Sequence, residues 1–212
     1  MNAALHAFLK QGFDTLYQRY APEWIDLAVA MANESRALIF SDVVVKYPDV
    51  LSGEAGEVAL ARILDTDATI VGTVLYRLSH ALYRREPKHE ALRYFAHFMR
   101  VRTAMEIYYS TEIGPRFRIE HGMGLVIGPR NRIGTDFTVH QGVTLGQRRT
   151  FSPHESMTIG NHCVLYAGAA ILGAVTLGDH VKLAANAVLL TDAEAGATYA
   201  GVPAVKVRGA AA

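Results

Sequence analysis

Over roughly the first hundred residues, apolar positions recur every three or four places, the spacing that lines one face of a helix. Leu5, Phe8, Leu9, Phe13, Leu16 and Tyr20 mark one such face, Ile70, Val71, Val74, Leu75, Leu78 and Leu82 a second, and Leu92, Phe95, Phe98, Met99 and Met105 a third. Between them, APEWIDLAVAMANESRALIF opens with Pro22, well placed in a first helical turn, and SDVVVKYPDVLSG ends in helix breakers. This half reads as four or five packed helices whose apolar stripes form a core.

Beyond residue 105 the period changes. Aliphatic residues stand six apart in three runs: Ile107, Ile113, Ile119; then Ile127, Ile133, Val139, Leu145; then Ile159, Leu165, Ile171, Leu177, Leu183, Leu189. Glycine often follows, at Gly114, Gly128, Gly134, Gly146, Gly160 and Gly178, and a small or branched residue often precedes by two, at Val143, Ala169, Val175, Val181 and Ala187. Neither an α-helix nor a plain strand uses a period of six. A solenoid does: three six-residue faces make a triangular coil of eighteen, and coils stack at roughly 4.8 Å, the spacing of hydrogen-bonded strands. The aliphatic residue points inward, and glycine eases the corner, where a bulky side chain or a positive φ is costly. The thirteen positions supply about four coils. The fold class expected is therefore α+β, with a helical domain over 1–105 and a solenoid domain over 106–212 that carries an inserted loop and a short tail.

Composition narrows the partners. The 212 residues are half apolar and carry 21 basic and 20 acidic side chains, a net charge of +1, with no long block of one sign. A nucleic-acid footprint is not expected. No uncharged apolar run reaches the roughly eighteen residues of a membrane span, and the N-terminus lacks a basic lead before an apolar stretch, so a cytoplasmic protein is expected. The single cysteine, Cys163, falls at an apolar position of the six-residue pattern and reads as a core residue.

The six-residue pattern resembles the hexapeptide-repeat acyltransferases, and the motifs within it are most similar to serine O-acetyltransferases. EIYYSTEIGPRFRIEHGMGLVIG (106–128) follows that family's spacing without a gap; QGVTLG (141–146), YAGAAILG (166–173), AGVPA (200–204) and YRLSHALY (76–83) add to it. The resemblance implies a left-handed parallel β-helix, a homotrimer or a dimer of trimers, and acetyl-CoA as co-substrate. It also implies that His121 is the base taking the acceptor hydroxyl proton, with Glu106, fifteen residues earlier, orienting the imidazole; histidine suits the task because its titration range lies near neutrality. Small residues Gly146, Ala167 and Ala185 are expected along the acetyl-CoA arm, with Lys206 and Arg208 near its phosphates.

The acceptor half departs from the family. Leu145 to Ile159 is fourteen residues, eight more than a repeat, so the inserted loop is present. Glu155 stands where the family has an arginine, Ser156 where it has a second histidine, and Pro129 where it has a glutamate. His154, Arg148 and Arg149 are the candidates to replace them, and Glu120 stands in place of an aspartate that contacts the acceptor. A carboxylate clamp is thereby weakened, because charge-assisted bidentate contacts are strong. The expected acceptor is serine or a serine-like hydroxyl, a form with its carboxylate masked or carrier-bound being among the candidates; a sugar or other small alcohol, and a non-catalytic trimeric scaffold, are the alternatives. An acidic acceptor contact from the helical half has three candidates, Glu54, Asp65 and Asp67. His162 and His180, one coil apart, should stack on one corner, yet two histidines fall short of a zinc site, so no metal is expected. The tail VRGAAA lacks the isoleucine-ended extension by which relatives dock into cysteine synthase, and that complex is not expected.

Overall fold

The structure, a computed structural model, describes residues 2–17, 23–49, 56–149 and 155–209. The chain divides into two compact units, Met1–Thr103 and Ala104–Ala212. The first contains, among the described residues, six helices: α1 (Asn2–Leu16), α2 (Glu23–Glu34), α3 (Arg36–Lys46), α4 (Gly56–Thr66), α5 (Ala68–Arg85) and α6 (Ala91–Thr103). That is more than the four or five expected, because two breaks carry no glycine or proline. Ser35 leaves helical geometry (φ −90°, ψ 8°) between α2 and α3. Asp67 turns extended and caps α5, accepting from the backbone N–H groups of Thr69 and Ile70. The stripe Ile70, Val71, Val74, Leu75, Leu78 and Leu82 is buried throughout. Leu16, expected on the first stripe, is instead 39% exposed. Tyr20 and Pro22 lie outside the described residues.

The helical core also holds a charge pair that periodicity cannot announce. Arg77, 1% exposed, donates from Nε to Asp42 Oδ2 at 2.8 Å and from Nη2 to Oδ1 at 3.2 Å, while Ser35 Oγ donates to its backbone oxygen. The arginine of YRLSHALY is thus a buried structural residue.

The second unit is a parallel β-helix. Coil one contains β1 (Glu106–Ile107), β2 (Glu112–Ile113) and β3 (Arg118–Glu120); coil two, β4 (Val126–Ile127), β5 (Arg132–Ile133) and β6 (Thr138–His140). Coil three contains β7 (Thr144–Gly146), β8 (Thr158–Ile159) and β9 (Val164–Leu165); coil four, β10 (Ala170–Leu172), β11 (Thr176–Leu177) and β12 (Lys182–Leu183). A fifth, irregular coil has β13 (Val188–Leu189) and an antiparallel hairpin of β14 (Thr198–Gly201) with β15 (Ala204–Arg208). Equivalent strands stack into three sheets, β1-β4-β7-β10-β13, β2-β5-β8-β11 and β3-β6-β9-β12-β14-β15. All thirteen periodic aliphatics are at most 6% exposed.

The corner glycines owe their place to close approach. A Cβ on Gly114, Gly134, Gly160 or Gly178 would sit 2.6–2.8 Å from backbone of the next coil, and none of these four has a positive φ. Left-handed backbone is found at other positions, held by other glycines and by Arg116, His121, Arg130, Asp136, His162, His180 and Asn186, the latter at φ between 54° and 66°. At one corner, Arg116 pairs with Asp136, His162 Nδ1 lies 3.7 Å from Asp136, and the His162 and His180 rings stack at 4.7 Å and 6°. Cys163 is buried; burial pushes its thiol up to about 11, and its Sγ donates to Gly178 O at 3.2 Å.

Candidate active site

His121 owes its position to a break in the period. The third sheet pairs Glu120 with His140 and the first pairs Val126 with Thr144. Five residues bridge those anchors in the upper coil and three in the next. Met123 O accepts from Gly142 N, which aligns Met123 with Gln141 and leaves His121 and Gly122 as the two surplus residues. They form a tight outward turn, with Gly122 N donating to Glu120 O (2.8 Å) and Leu125 N to Gly122 O (2.9 Å). Gly122 is required there: its φ is +79°, and a Cβ would meet Met105 Sδ at 2.6 Å. His121, at φ 63°, is exposed on the turn.

The same turn is fastened to the segment that carries Glu106. Gly124 N donates to Ala104 O and Glu106 N to Leu125 O, each at 2.9 Å. Glu106 therefore begins the strand alongside the His121 corner and is half-buried. Glu120 pairs with Arg118, two residues earlier on the same face of β3. Arg118, the partner of the candidate Glu120, is not singled out by the six-residue period; the period of two within a strand is the signal that puts the two on one face.

The expected donor residues separate into two places. Ala167 and Ala185 stack on the corner that leads from the third sheet to the first, the same column of turns as His121, with Asn186 N donating to Ala167 O at 2.9 Å. Gly146 lies at the other end of the first sheet, paired with Leu172. Lys206, on the exposed hairpin with Arg208, is bonded to Glu194 at 2.5 Å, which raises its pKa. A residue absent from the expected set stands on the His121 column as well: the side-chain oxygen of Gln141 is buried and has no hydrogen-bond partner among the described residues. That state depends on packing, so residue type gave no signal of it.

Around Gly146 the altered positions meet. Gly128, Pro129, Leu145, Gly146, Glu155 and Ser156 line one small depression, and no lysine or arginine lines it among the described residues. The Glu155 carboxylate accepts from Arg148 N at 2.7 Å, closing the neck of the inserted loop. The Arg148 side chain passes close to Gly173, where an added Cβ would be 3.4 Å from its own Cβ, and Arg149 is exposed. His154 falls outside the described residues, as does Glu54.

Asp67 is committed elsewhere. Besides capping α5 it accepts from Tyr47 Oη (2.6 Å) and pairs with Lys46 (2.8 Å). Burial alone would raise its carboxyl, but hydrogen bonds from Lys46, Thr69 and Tyr47, with the Lys46 charge, hold it well below the usual carboxylate range. Tyr47 is pushed up to about 12 by burial and by the bond to Asp67. Asp65 is exposed on the helical unit. Among the described residues no group of three or more histidine, cysteine or acidic side chains is arranged to hold a metal, and no helix is long and apolar enough to cross a membrane.

The coiled β-helix is the architecture of hexapeptide-repeat proteins, and residues 156–191 match the family described as bacterial transferase hexapeptide (six repeats). The serine acetyltransferase of Helicobacter pylori is 44% identical over 126 residues, which are 59% of this chain and 73% of that one. The chain belongs to the serine acetyltransferase family. Its fold is matched by a serine acetyltransferase from Brucella abortus in complex with coenzyme A, at TM-score 0.77 and 21% identity over 99% of this chain and 82% of that one. It is matched too by a soybean serine acetyltransferase complexed with serine, at TM-score 0.75 and 23% identity over 86% and 74%.

Proposed function

We propose that this chain is an acetyl-CoA-dependent O-acetyltransferase acting on the hydroxyl of serine or a serine-like acceptor, with His121 as base and Glu106 as its orienting acid. Neutral His121 takes the hydroxyl proton as the oxygen attacks the thioester carbonyl. The tetrahedral oxyanion collapses to the acetyl ester and CoA thiolate, and the imidazolium returns the proton to sulfur. Glu106 holds the ring's tautomer and stabilises the imidazolium. Backbone N–H groups of the glycine-rich corners are the donors available to the oxyanion. The observation that supports this reading is the two-residue excess, His121 and Gly122, which a solenoid alone does not require and which turns an imidazole outward beside the strand start bearing Glu106.

The acetyl-CoA arm runs past Ala167 and Ala185, with Gly146 and Lys206 as outlying contacts. The working form is a homotrimer, or a dimer of trimers, in the cytoplasm, built of a helical domain to residue 105 and a catalytic domain from 106. The depression around Gly146 carries an acidic Glu155 and, among the described residues, no lining lysine or arginine, which favours an acceptor whose carboxylate is masked; Arg148, whose backbone N–H donates to Glu155, is its neighbour. The test is release of CoA thiol from acetyl-CoA with L-serine, serinamide and serine methyl ester. Masked serines should give the higher kcat/KM. A preference for free serine overturns the masked-acceptor reading, and no turnover with any hydroxyl acceptor overturns the enzyme reading.

A further inference from the structure

The helical unit contains a groove of about 310 Å3 formed by α1, the end of α4 and α6, near the lower end of the ~300–1,000 Å3 usual for small-molecule sites. Gly12 sets its depth: a Cβ there would come within 2.6 Å of the Phe98 ring, so α1 and α6 approach closely at that point. The Phe8 and Phe98 rings lie 5.9 Å apart in its floor, and Leu16 and Val101, 39% and 53% exposed, form apolar walls. Two opposite charges stand at the rim. The Arg102 guanidinium lies 5.7 Å over the Phe8 ring and donates from Nη2 to the backbone oxygen of Asp65 at a long 3.5 Å. The Asp65 carboxylate is exposed and has no ion-pair partner among the described residues.

We propose that this groove binds a free α-amino acid with an apolar side chain. Arg102 takes the carboxylate, Asp65 the ammonium, and the side chain lies on Phe8, Phe98, Leu16 and Val101. A simple anion would meet Asp65 and a simple cation Arg102, whereas a zwitterion satisfies both, and a guanidinium fixed over an aromatic face is preorganised for a bidentate carboxylate. The apolar walls select against small polar amino acids.

The test is calorimetric titration of the full chain with L-leucine and L-phenylalanine, alongside 4-methylpentanoate, isopentylamine and glycine, which lack in turn the ammonium, the carboxylate and the side chain. At least one of the two amino acids should bind with Kd of roughly 0.1–1 mM, and each truncated compound at least tenfold more weakly, as judged from the charge-assisted contact removed or, for glycine, from the apolar side chain removed. Arg102→Met and Asp65→Asn, both surface changes, should each weaken binding by at least tenfold, and Arg102→Met should leave acetyl transfer unchanged. The proposal is overturned if neither amino acid saturates, if both variants bind as the parent does, or if coenzyme A displaces the ligand. It is overturned as well if Arg102→Met alters the mass of the assembly, since a second copy would then be the occupant.

Discussion

Gly134→Ala tests whether coil stacking explains the glycine column. The added Cβ would sit 2.8 Å from Gly160 C and 2.9 Å from Asn161 N, main-chain atoms fixed by the next coil, and 2.5 Å from Asn161 Oδ1. Relief requires the coils to part or Asn161 to rotate away, breaking its bonds from Thr135 N at 2.9 Å and Thr135 Oγ1 at 3.2 Å. Overpacking costs about 1–3 kcal/mol, and the lost hydrogen bonds about 1 kcal/mol. A destabilisation of about 2–4 kcal/mol corresponds to a fall in Tm of roughly 5–15 °C for a chain of this size. Gly146→Ala is the control: its nearest obstacles are the Leu172 and Thr144 methyl groups at 3.3 and 3.4 Å, which can give way. Thermal unfolding by circular dichroism at matched concentration should show a large loss for the first and under about 1 kcal/mol for the second. Equal stability of Gly134→Ala and the parent would refute the close-approach argument.

Three further expectations concern buried or half-buried groups. Asp42→Ala strands the Arg77 guanidinium, 1% exposed, and should cost about 3–5 kcal/mol in urea titration; replacing both residues by leucine and methionine should recover most of it, and a loss below 1 kcal/mol (~1) would mean the pair behaves as an exposed one. Because Asp67 is held below its ordinary range, its contribution is fully present above about pH 4 and is lost as pH falls toward the folded value. Asp67→Asn should flatten that part of the acid-unfolding curve of the parent; an unchanged curve would contradict the assignment. Cys163, buried and pushed up to about 11, should resist iodoacetamide in the native chain at neutral pH and react once denatured, as mass spectrometry would report. Native labelling at the rate of a free thiol would be inconsistent with its burial.

How much of this was legible in the sequence depends on whether the cause is local. The six-residue spacing of Ile107 through Leu189 follows directly from the repeat geometry, and all thirteen positions are inside. The stack of His162 on His180 follows from the same eighteen-residue coil. The helix count was too low because Ser35 and Asp67 break the chain by backbone turning and capping, with no glycine or proline to mark them. The Asp42 and Arg77 pair joins positions 35 residues apart on two helices, which periodicity does not connect. At the site, the jump from Ile119 to Ile127 already contained the excess, but its identity as His121 and Gly122 needed the register of two sheets. Pro129, Glu155 and Ser156 were recognisable as departures one by one; that they line a single depression depends on where the inserted loop closes.

The central claim is that His121 removes the acceptor proton, and the isosteric His121→Asn variant tests it most directly. Steady-state release of CoA thiol from acetyl-CoA with the preferred serine acceptor should fall by roughly 10²–10⁴ in kcat, with coenzyme A binding and the circular dichroism spectrum unchanged. Turnover within about threefold of the parent, well short of the loss expected of a general base, would contradict it and leave His121 as a polar residue on a surface turn.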